Sequence, residues 1–373
     1  MDNISIYIHI PFCVSKCSYC DFCSFVPSGN QMSQNLNALF KEIDFYNKKY
    51  KNKQVKTIYI GGGTPSTMPS GFITRILDKT RSSFNIEDSV EITIEANPNS
   101  FNTQKAEEYK SAGCNRLSFG LQSDNESLLK IMNRVHNYAQ FEQALDCAIK
   151  AGIKNINVDI MLGIPTQTKQ DVYATLQRIL KLPVTHISAY SLICEPNTPL
   201  TNAINSGEYV LPTEDETVDM YDFVVETLSK HHFYRYEISN FAKKGFESRH
   251  NLNYWDRGEY LGLGLASCSF VDSVHWQNTD NFLSYIKNPL IHLEEEKETI
   301  KTAKEETIML ALRTIKGLNI EKFNQKYDTN FEKEYKTQLD KFINEKLIKI
   351  ENGYLKITNL YISNSIISEF FED

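Results

Sequence analysis

No apolar run in the chain approaches the ~18 residues needed to span a bilayer, so no transmembrane helix is expected. Positive charge is not in excess either. The net charge is -7, which argues against nucleic acid as a partner, because nucleic acid calls for a basic face. Cysteine is sparse, at 8 residues in 373, and no secretory signal precedes the first of them, Cys13. A disulfide framework is therefore not expected, and a cytoplasmic, reducing location is. The G-x-G-x-x-G of a dinucleotide fold and the Gly-Lys-Ser/Thr of a P-loop are both missing, which removes two large classes of nucleotide-binding proteins. The composition is that of an ordinary globular protein, 41% hydrophobic and 23% charged. The length suits one large domain and a smaller one.

The few cysteines are concentrated. Cys13, Cys17 and Cys20 stand in a C-x3-C-x2-C spacing within Tyr-Ile-His-Ile-Pro-Phe-Cys-Val-Ser-Lys-Cys-Ser-Tyr-Cys. Three thiolates on one short loop can hold three irons of a [4Fe–4S] cube and leave the fourth without a protein ligand. That iron is open in the sense of a catalytic metal site. A structural zinc site is the rival reading, because Cys23 supplies a fourth thiol. Structural zinc, however, takes two chelating pairs separated by a longer loop, and these four crowd into one turn. The spacing resembles the cysteine motif of radical S-adenosylmethionine (SAM) enzymes, whose unique iron chelates the amino and carboxylate groups of SAM. Cys114, Cys147 and Cys194 have neighbours typical of buried elements and are expected as small core hydrophobes.

Short β-branched or apolar runs at 4–10, 56–60, 90–95, 116–121, 156–161 and 186–192 alternate with helix-period stretches. In residues 138–151, for example, Phe141, Ala144, Leu145, Ala148 and Ile149 fall on one helical face. Six βα repeats predict an α/β fold with a parallel sheet and helices outside it. The unusual residues follow the strands in order: the cysteine loop the first, Gly61-Gly62-Gly63-Thr64-Pro65 the second, Glu95 the third and Gln122 the fourth, with Asp159 in the fifth. In parallel barrels chemistry gathers at the C-terminal strand ends, so one face carries the polar and metal-binding groups.

Four segments carry a resemblance over nearly the whole chain: Tyr-Ile-His-Ile-Pro-Phe-Cys, Gly-Gly-Gly-Thr-Pro-Ser, Arg-Leu-Ser-Phe-Gly-Leu-Gln (116–122) and Val-Asp-Ile-Met-Leu-Gly-Ile-Pro (158–165). They are similar to the radical SAM group that contains oxygen-independent coproporphyrinogen III oxidase and the heme chaperone HemW. The resemblance implies a partial, TIM-like (β/α)6 barrel followed by a smaller C-terminal domain. It implies that Cys13, Cys17 and Cys20 hold the cluster, that Tyr7 lies beside cluster and SAM, and that Gly62, Gly63 and Thr64 contact the SAM amino acid moiety. Glu95, Gln122, Arg134 and Asp159 match the remaining polar SAM contacts. Taken singly, a glycine cluster is only a turn, Glu95 and Asp159 are strand carboxylates, and Arg134 is a solvated helix residue. Their gathering at one barrel mouth gives the set its meaning.

The oxidases of this group carry a further cysteine in C-x2-C-x-C. Here that position is Phe22, and the sulfur comes one residue later, at Cys23. A fourth protein thiolate would occupy the iron that SAM needs, so Cys23 is read as a free thiol beside the cluster, open to oxidation. Among the histidines, His9 is read as a hydrogen-bonded core position and the adjacent His231 and His232 as surface residues.

The βα rhythm fails from Tyr236 onward. Arg249-His250-Asn251-Leu252-Asn253-Tyr254-Trp255 resembles the H-N-x-x-Y-W motif that marks HemW-type proteins within the group. As a packed loop, its His, Tyr and Trp would only satisfy one another. As a heme site, His250 would be the iron ligand, Tyr254 and Trp255 would lie against the porphyrin, and Arg249 would pair with a propionate. Relatives generally have a histidine near the end of the glycine-rich run, where Cys268 stands here; Cys268 is the reserve ligand.

The domains are therefore expected at 1–235 (barrel), 236–290 (linker with the motif) and 291–373 (helical, winged-helix-like). Residues 294–298 are read as a solvated helix start or linker, 305–314 as a buried helix and 331–345 as a second helix. Runs 347–350 and 354–357 are joined through Asn352-Gly353 as a hairpin of the I′ type. The resemblance implies a heme chaperone that binds a [4Fe–4S] cluster, SAM and heme and passes heme to acceptor hemoproteins, membrane-associated respiratory proteins among them. It implies a cytoplasmic protein with peripheral membrane contact. Whether the chain dimerises, and whether SAM is cleaved, is left open. The alternative is an enzyme, coproporphyrinogen III dehydrogenase, which decarboxylates two propionates through a 5′-deoxyadenosyl radical. The dozen residues before Cys13 leave no room for that enzyme's leading segment, so coproporphyrinogen turnover is not expected. A zinc-binding regulatory module remains only if the loop binds no iron.

Overall fold

The computed structural model describes residues 2–371. Six parallel strands follow the expected runs: β1 (Asn3–Ile10), β2 (Gln54–Gly62), β3 (Asn85–Ala96), β4 (Arg116–Gln122), β5 (Asn155–Leu162) and β6 (His186–Ser191). Each pairs in parallel with the next. Side chains of a strand alternate between faces. In β1, Ile4, Ile6, Ile8 and Ile10 enter the apolar core, while Ser5, Tyr7 and His9 take polar partners inside the arc. Both faces are thus covered, as parallel sheets require. The helices on the outer face arise from local signals. Tyr138–Lys150 starts where the Asn137 side chain accepts from the Gln140 amide, and it buries Phe141, Ala144, Leu145 and Ala148 against the sheet.

The stretch expected as a linker, 236–290, instead extends the sheet at both ends, together with one short strand on either side of it. At one end, β8 (Asn240–Ala242) adds antiparallel to β6, and the preceding β7 (Tyr234–Arg235) adds antiparallel to β8. At the other, β9 (Tyr260–Leu263) runs parallel to β1, followed by the antiparallel β10 (Cys268–Val271), β11 (Val274–Asn278) and β12 (His292–Lys297). The order across this sheet is β12-β11-β10-β9-β1-β2-β3-β4-β5-β6-β8-β7. The acidic run expected as a helix start or linker is therefore strand β12. Its Glu294, Glu295 and Glu296 are exposed, and charge on an edge strand discourages pairing with other chains.

The C-terminal unit has its own core, in which Ile308, Leu312, Phe323, Phe331, Phe342, Leu355 and Phe370 meet. Helix Ile300–Leu312 leads to a small sheet ordered β13-β15-β14, made of β13 (Leu318–Asn319), β14 (Ile348–Glu351) and β15 (Tyr354–Ile357). Asn352 and Gly353 both have positive φ, 53° and 79°, as a I′ turn needs. The helix expected at 331–345 is broken into Phe331–Glu334 and Lys336–Asn344 at Tyr335, whose buried ring packs on Phe331 and Phe370.

Candidate functional site

The loop after β1 turns back on itself. The Cys13 amide donates to the Phe25 carbonyl at 3.0 Å, and the Phe25 amide to the Pro11 carbonyl at 2.9 Å. Cys13 is buried, whereas Cys17 and Cys20 are half-buried. The turn after β2 docks on this loop through two backbone bonds, Gly63 amide to Ile10 carbonyl and Thr64 amide to Phe12 carbonyl, both 2.8 Å. That contact demands glycine. A Cβ at Gly63 would lie 2.5 Å from the Phe12 carbonyl oxygen, and one at Gly62 (φ 108°) would lie 2.5 Å from the His9 ring. The glycines thus serve the protein's own packing as well as any ligand's approach.

All three cysteines of the C-x3-C-x2-C run line one cavity with Gly62, Gly63, Thr64, Glu95, Gln122, Arg134 and Asp159. Thr64 Oγ1 donates to Cys13 Sγ at 3.6 Å. Arg134 Nη1 donates to Cys17 Sγ at 3.4 Å, and its Nη2 to the Gly120 carbonyl. Glu95 accepts from Tyr59 Oη at 2.8 Å and from the Gly62 amide at 3.1 Å, while burial pushes its pKa up to about 7. Asp159 accepts from Asn157 Nδ2 at 2.8 Å and is likewise raised by burial.

Gln122 takes φ 69° next to a register shift in the β4–β5 pairing, a strained backbone of the kind found at ligand clamps. Its Oε1 and the Nε of Arg134 are buried without a protein partner. Buried polar atoms are normally bonded, so this wall suits a ligand bearing both donors and acceptors. SAM, with its ammonium, carboxylate and ribose, fits that set. Three thiols with no fourth cysteine on the wall fit a cube with one open iron.

Tyr7 is not on the wall of that cavity but borders the next one. It lines a second cavity with His9, Cys23, Tyr254, Tyr260 and Cys268, and this cavity shares Gly62, Glu95 and Phe22 with the first. Tyr7 Oη meets His9 Nδ1 at 3.0 Å, and His9 Nε2 meets the Cys23 carbonyl at 2.8 Å, so His9 fastens β1 to the cysteine loop. Cys23 faces this cavity and its Sγ lies 3.8 Å from the Asp280 carbonyl.

The heme expectation for the motif around His250 needs correction. Helix Arg249–Trp255 begins at the N-terminal ends of β2 and β3, away from the cysteine loop. The Arg249 and His250 amides both donate to Glu91, at 3.1 Å. His250 is 2% exposed, its Nδ1 is 2.7 Å from Thr57 Oγ1, its Nε2 is 3.1 Å from Tyr254 Oη, and its ring stacks on Tyr59. Burial lowers its pKa to about 3. The imidazole is neutral and both nitrogens are engaged, so none is free for iron. Arg249 is exposed and bound to Glu87 and the Ser89 carbonyl. Trp255 lines a different cavity, between β8 and the C-terminal unit. Only Tyr254 of the four reaches a cavity wall shared with the cysteine loop.

The other cysteines divide too. Cys114 is fully buried as expected, but Cys147 and Cys194 are half-buried. Tyr59 and Asn157, which hold Glu95 and Asp159, carry no motif of their own. The signal that could have found Tyr59 is its inward position on β2, two residues from Gly61.

Sequence profiles of two families match the chain, that of the Radical SAM superfamily over residues 7–179 and that of the HemN C-terminal domain over residues 300–360. The heme chaperone HemW of Lactococcus lactis is 33% identical over 373 residues, covering 99% of this chain and 97% of its own. That of Bacillus subtilis is 32% identical and covers 98% of each. That of Escherichia coli is 36% identical over 269 residues, 71% of this chain and 69% of its own. Among solved structures, coproporphyrinogen III oxidase (HemN) from Escherichia coli, described as a radical SAM enzyme, superposes with a TM-score of 0.88 over 98% of this chain and 89% of its own. At 21% identity that likeness shows the fold alone.

Proposed function

We propose a function on the premise that the chain belongs to the HemW family of radical SAM proteins: it is a heme chaperone that carries a [4Fe–4S] cluster and SAM and passes heme to acceptor hemoproteins. The observation that carries the cofactor half is the one cavity that joins Cys13, Cys17 and Cys20 to Gly62–Thr64, Glu95, Gln122, Arg134 and Asp159. The three cysteines would hold three irons, leaving the fourth for SAM. Glu95 would take the ammonium of SAM, the turn at Gly62–Thr64 would lie along its amino acid portion, and Gln122, Arg134 and Asp159 would meet its remaining polar groups. A bound, reduced cluster would supply an electron for SAM chemistry; the residues of this chain would position SAM, with Arg134 beside the Cys17 sulfur. Tyr7, in the adjoining cavity, belongs with the second ligand, heme.

Phe22 in place of the oxidase's additional cysteine speaks against coproporphyrinogen turnover. No helix among the described residues is long and apolar enough to cross a membrane. A cytoplasmic chaperone that reaches membrane-associated respiratory hemoproteins by peripheral contact, alone or as a homodimer, accords with that finding and with eight free cysteines.

The deciding experiment is anaerobic. Protein reconstituted with iron and sulfide is given heme or coproporphyrinogen III in parallel, with SAM and reductant. Binding of heme and its transfer to an apo-hemoprotein, with no protoporphyrinogen IX formed, is the expected result. Steady decarboxylation at ~1 per second or faster, within the usual enzymatic range, would replace the chaperone reading by the oxidase.

A further inference from the structure

The second cavity is a built site. Its volume is about 870 Å³, within the ~300–1,000 Å³ of pockets that enclose ligands. Tyr7, Tyr254 and Tyr260 wall it, Phe22 and Phe25 border it, and Lys16 stands at its mouth. One side is a tight turn between β9 and β10, held from behind by buried Glu42. That carboxylate accepts from the Gly264 amide at 2.9 Å, from Asn278 Nδ2 at 2.6 Å and from Tyr285 Oη at 2.7 Å. Asn278 Nδ2 also bonds the Gly264 carbonyl and Ser267 Oγ. The turn is therefore rigid, and the next residue, Cys268, opens β10 facing the cavity.

Among the imidazole, amine and thiol groups on this wall, the others are engaged. His9 uses both ring nitrogens, and Cys23 Sγ is bonded to the Asp280 carbonyl. Lys16 Nζ donates to the Phe22 carbonyl at 3.1 Å at the exposed rim. Cys268 makes no side-chain hydrogen bond among the described residues, and it is exposed. Tyr7, Tyr254 and Tyr260 line the same cavity as its sulfur.

We propose that heme, the ligand assigned above, sits in this cavity with Cys268 Sγ as an iron ligand, its faces against Tyr254 and Tyr260 and a propionate toward Lys16. The inference rests on the chaperone reading and locates its cargo. When ferric heme binds, the Cys268 thiol gives its proton to solvent and the sulfur donates a lone pair to iron; no electron is transferred. The shared wall at Gly62 and Glu95 puts the porphyrin beside SAM, so each ligand can sense the other. The open mouth leaves an edge of the heme accessible to an acceptor.

Heme is titrated into the reconstituted full-length protein, wild type and variants, and ferric spectra are recorded by absorption, EPR and magnetic circular dichroism. The wild type is expected to show the thiolate signature known from cysteine-ligated hemes. Cys268→Ser should lose it and bind heme at least tenfold more weakly, Cys268→His should regain binding with a nitrogen-ligand spectrum, and Cys23→Ser should keep the thiolate signature. An intact cluster spectrum in each variant verifies the fold. Heme bound by the wild type without a thiolate signature, or a signature that survives in Cys268→Ser, overturns the inference and leaves the chaperone function standing. A wild type that binds no heme overturns both.

Discussion

Two motifs stand out in this chain, the cysteine loop at one end of the strands and the helix Arg249–Trp255 at the other, and the fold treats them in opposite ways. The cysteine loop leaves its chemistry unspent: three sulfurs face a cavity, with Gln122 Oε1 and Arg134 Nε unpaired beside them. The helix spends its chemistry on the protein. His250 gives both nitrogens to Thr57 and Tyr254, and Arg249 gives its guanidinium to Glu87 and the Ser89 carbonyl. Residue types alone make both look like ligand sites. What separates them is whether a polar atom still lacks a partner after the chain has folded.

The largest expected effect breaks the first motif alone. Cys13→Ser, Cys17→Ser or Cys20→Ser should each abolish the visible iron–sulfur absorption, because a three-thiolate site has no ligand to spare. Cys23→Ser should retain it, since that sulfur faces the adjoining cavity. Loss of the cluster in Cys23→Ser, or its survival in Cys17→Ser, would show that the ligands are misassigned.

His250→Ala tests the other side. Truncation would strip a partner from buried Thr57 and from half-buried Tyr254 and leave a void against Tyr59. A destabilisation of about 2–4 kcal/mol is expected from unsatisfied buried groups and lost packing. Denaturant unfolding measures it, and the folded fraction should still bind heme with the wild-type ligand spectrum. A fold of wild-type stability that no longer binds heme would return the motif to the role its sequence suggests.

These outcomes mirror what the sequence makes legible. The six parallel strands are visible as β-branched runs, and the mouth residues are visible because parallel barrels put chemistry at strand ends. Strands β7 to β12 are not, since Tyr234–Arg235 and Asn240–Ala242 are too short for periodicity, and Glu294–Glu296 read as a solvated run until an edge strand needs charge. The misplaced role of His250 had a clue. His250 and Tyr254 are four residues apart, a spacing that brings side chains together on one helix face. Tyr59, the partner of both Glu95 and the His250 ring, gains those roles only where two strands and a helix meet.

Glu95 carries a third, smaller effect, in ligand binding. Burial holds its pKa at about 7, with Tyr59 and the Gly62 amide favouring the ionised form and Asp159 opposing it. A raised carboxylate is neutral below that value and charged above it. SAM affinity should therefore fall as pH drops from about 8 to about 6, as the partner of the ammonium is lost. Glu95→Gln should weaken SAM binding by about tenfold, the difference between a charged and a neutral hydrogen bond, and flatten the pH profile. Calorimetry under anaerobic conditions reads both. A wild-type affinity that is flat over this range, or rises toward acid, would remove Glu95 from the SAM site.

The smallest effect belongs to Arg249. It is exposed, and its partner Glu87 is held below the usual carboxylate range by Lys56 first and then by Arg249 itself. Lys56 stays bonded to Glu87 when Arg249 is removed, so the carboxylate keeps a cation. Exposed pairs of this kind contribute little and are screened by salt. Arg249→Ala should shift Tm by no more than about 2 °C, less still in high salt, with cluster, SAM and heme binding unaffected. Had the guanidinium been paired with a heme propionate, the same substitution would instead weaken heme binding while leaving Tm in place. The two readings thus predict opposite pairs of results from one variant, and a heme titration beside a melting curve separates them.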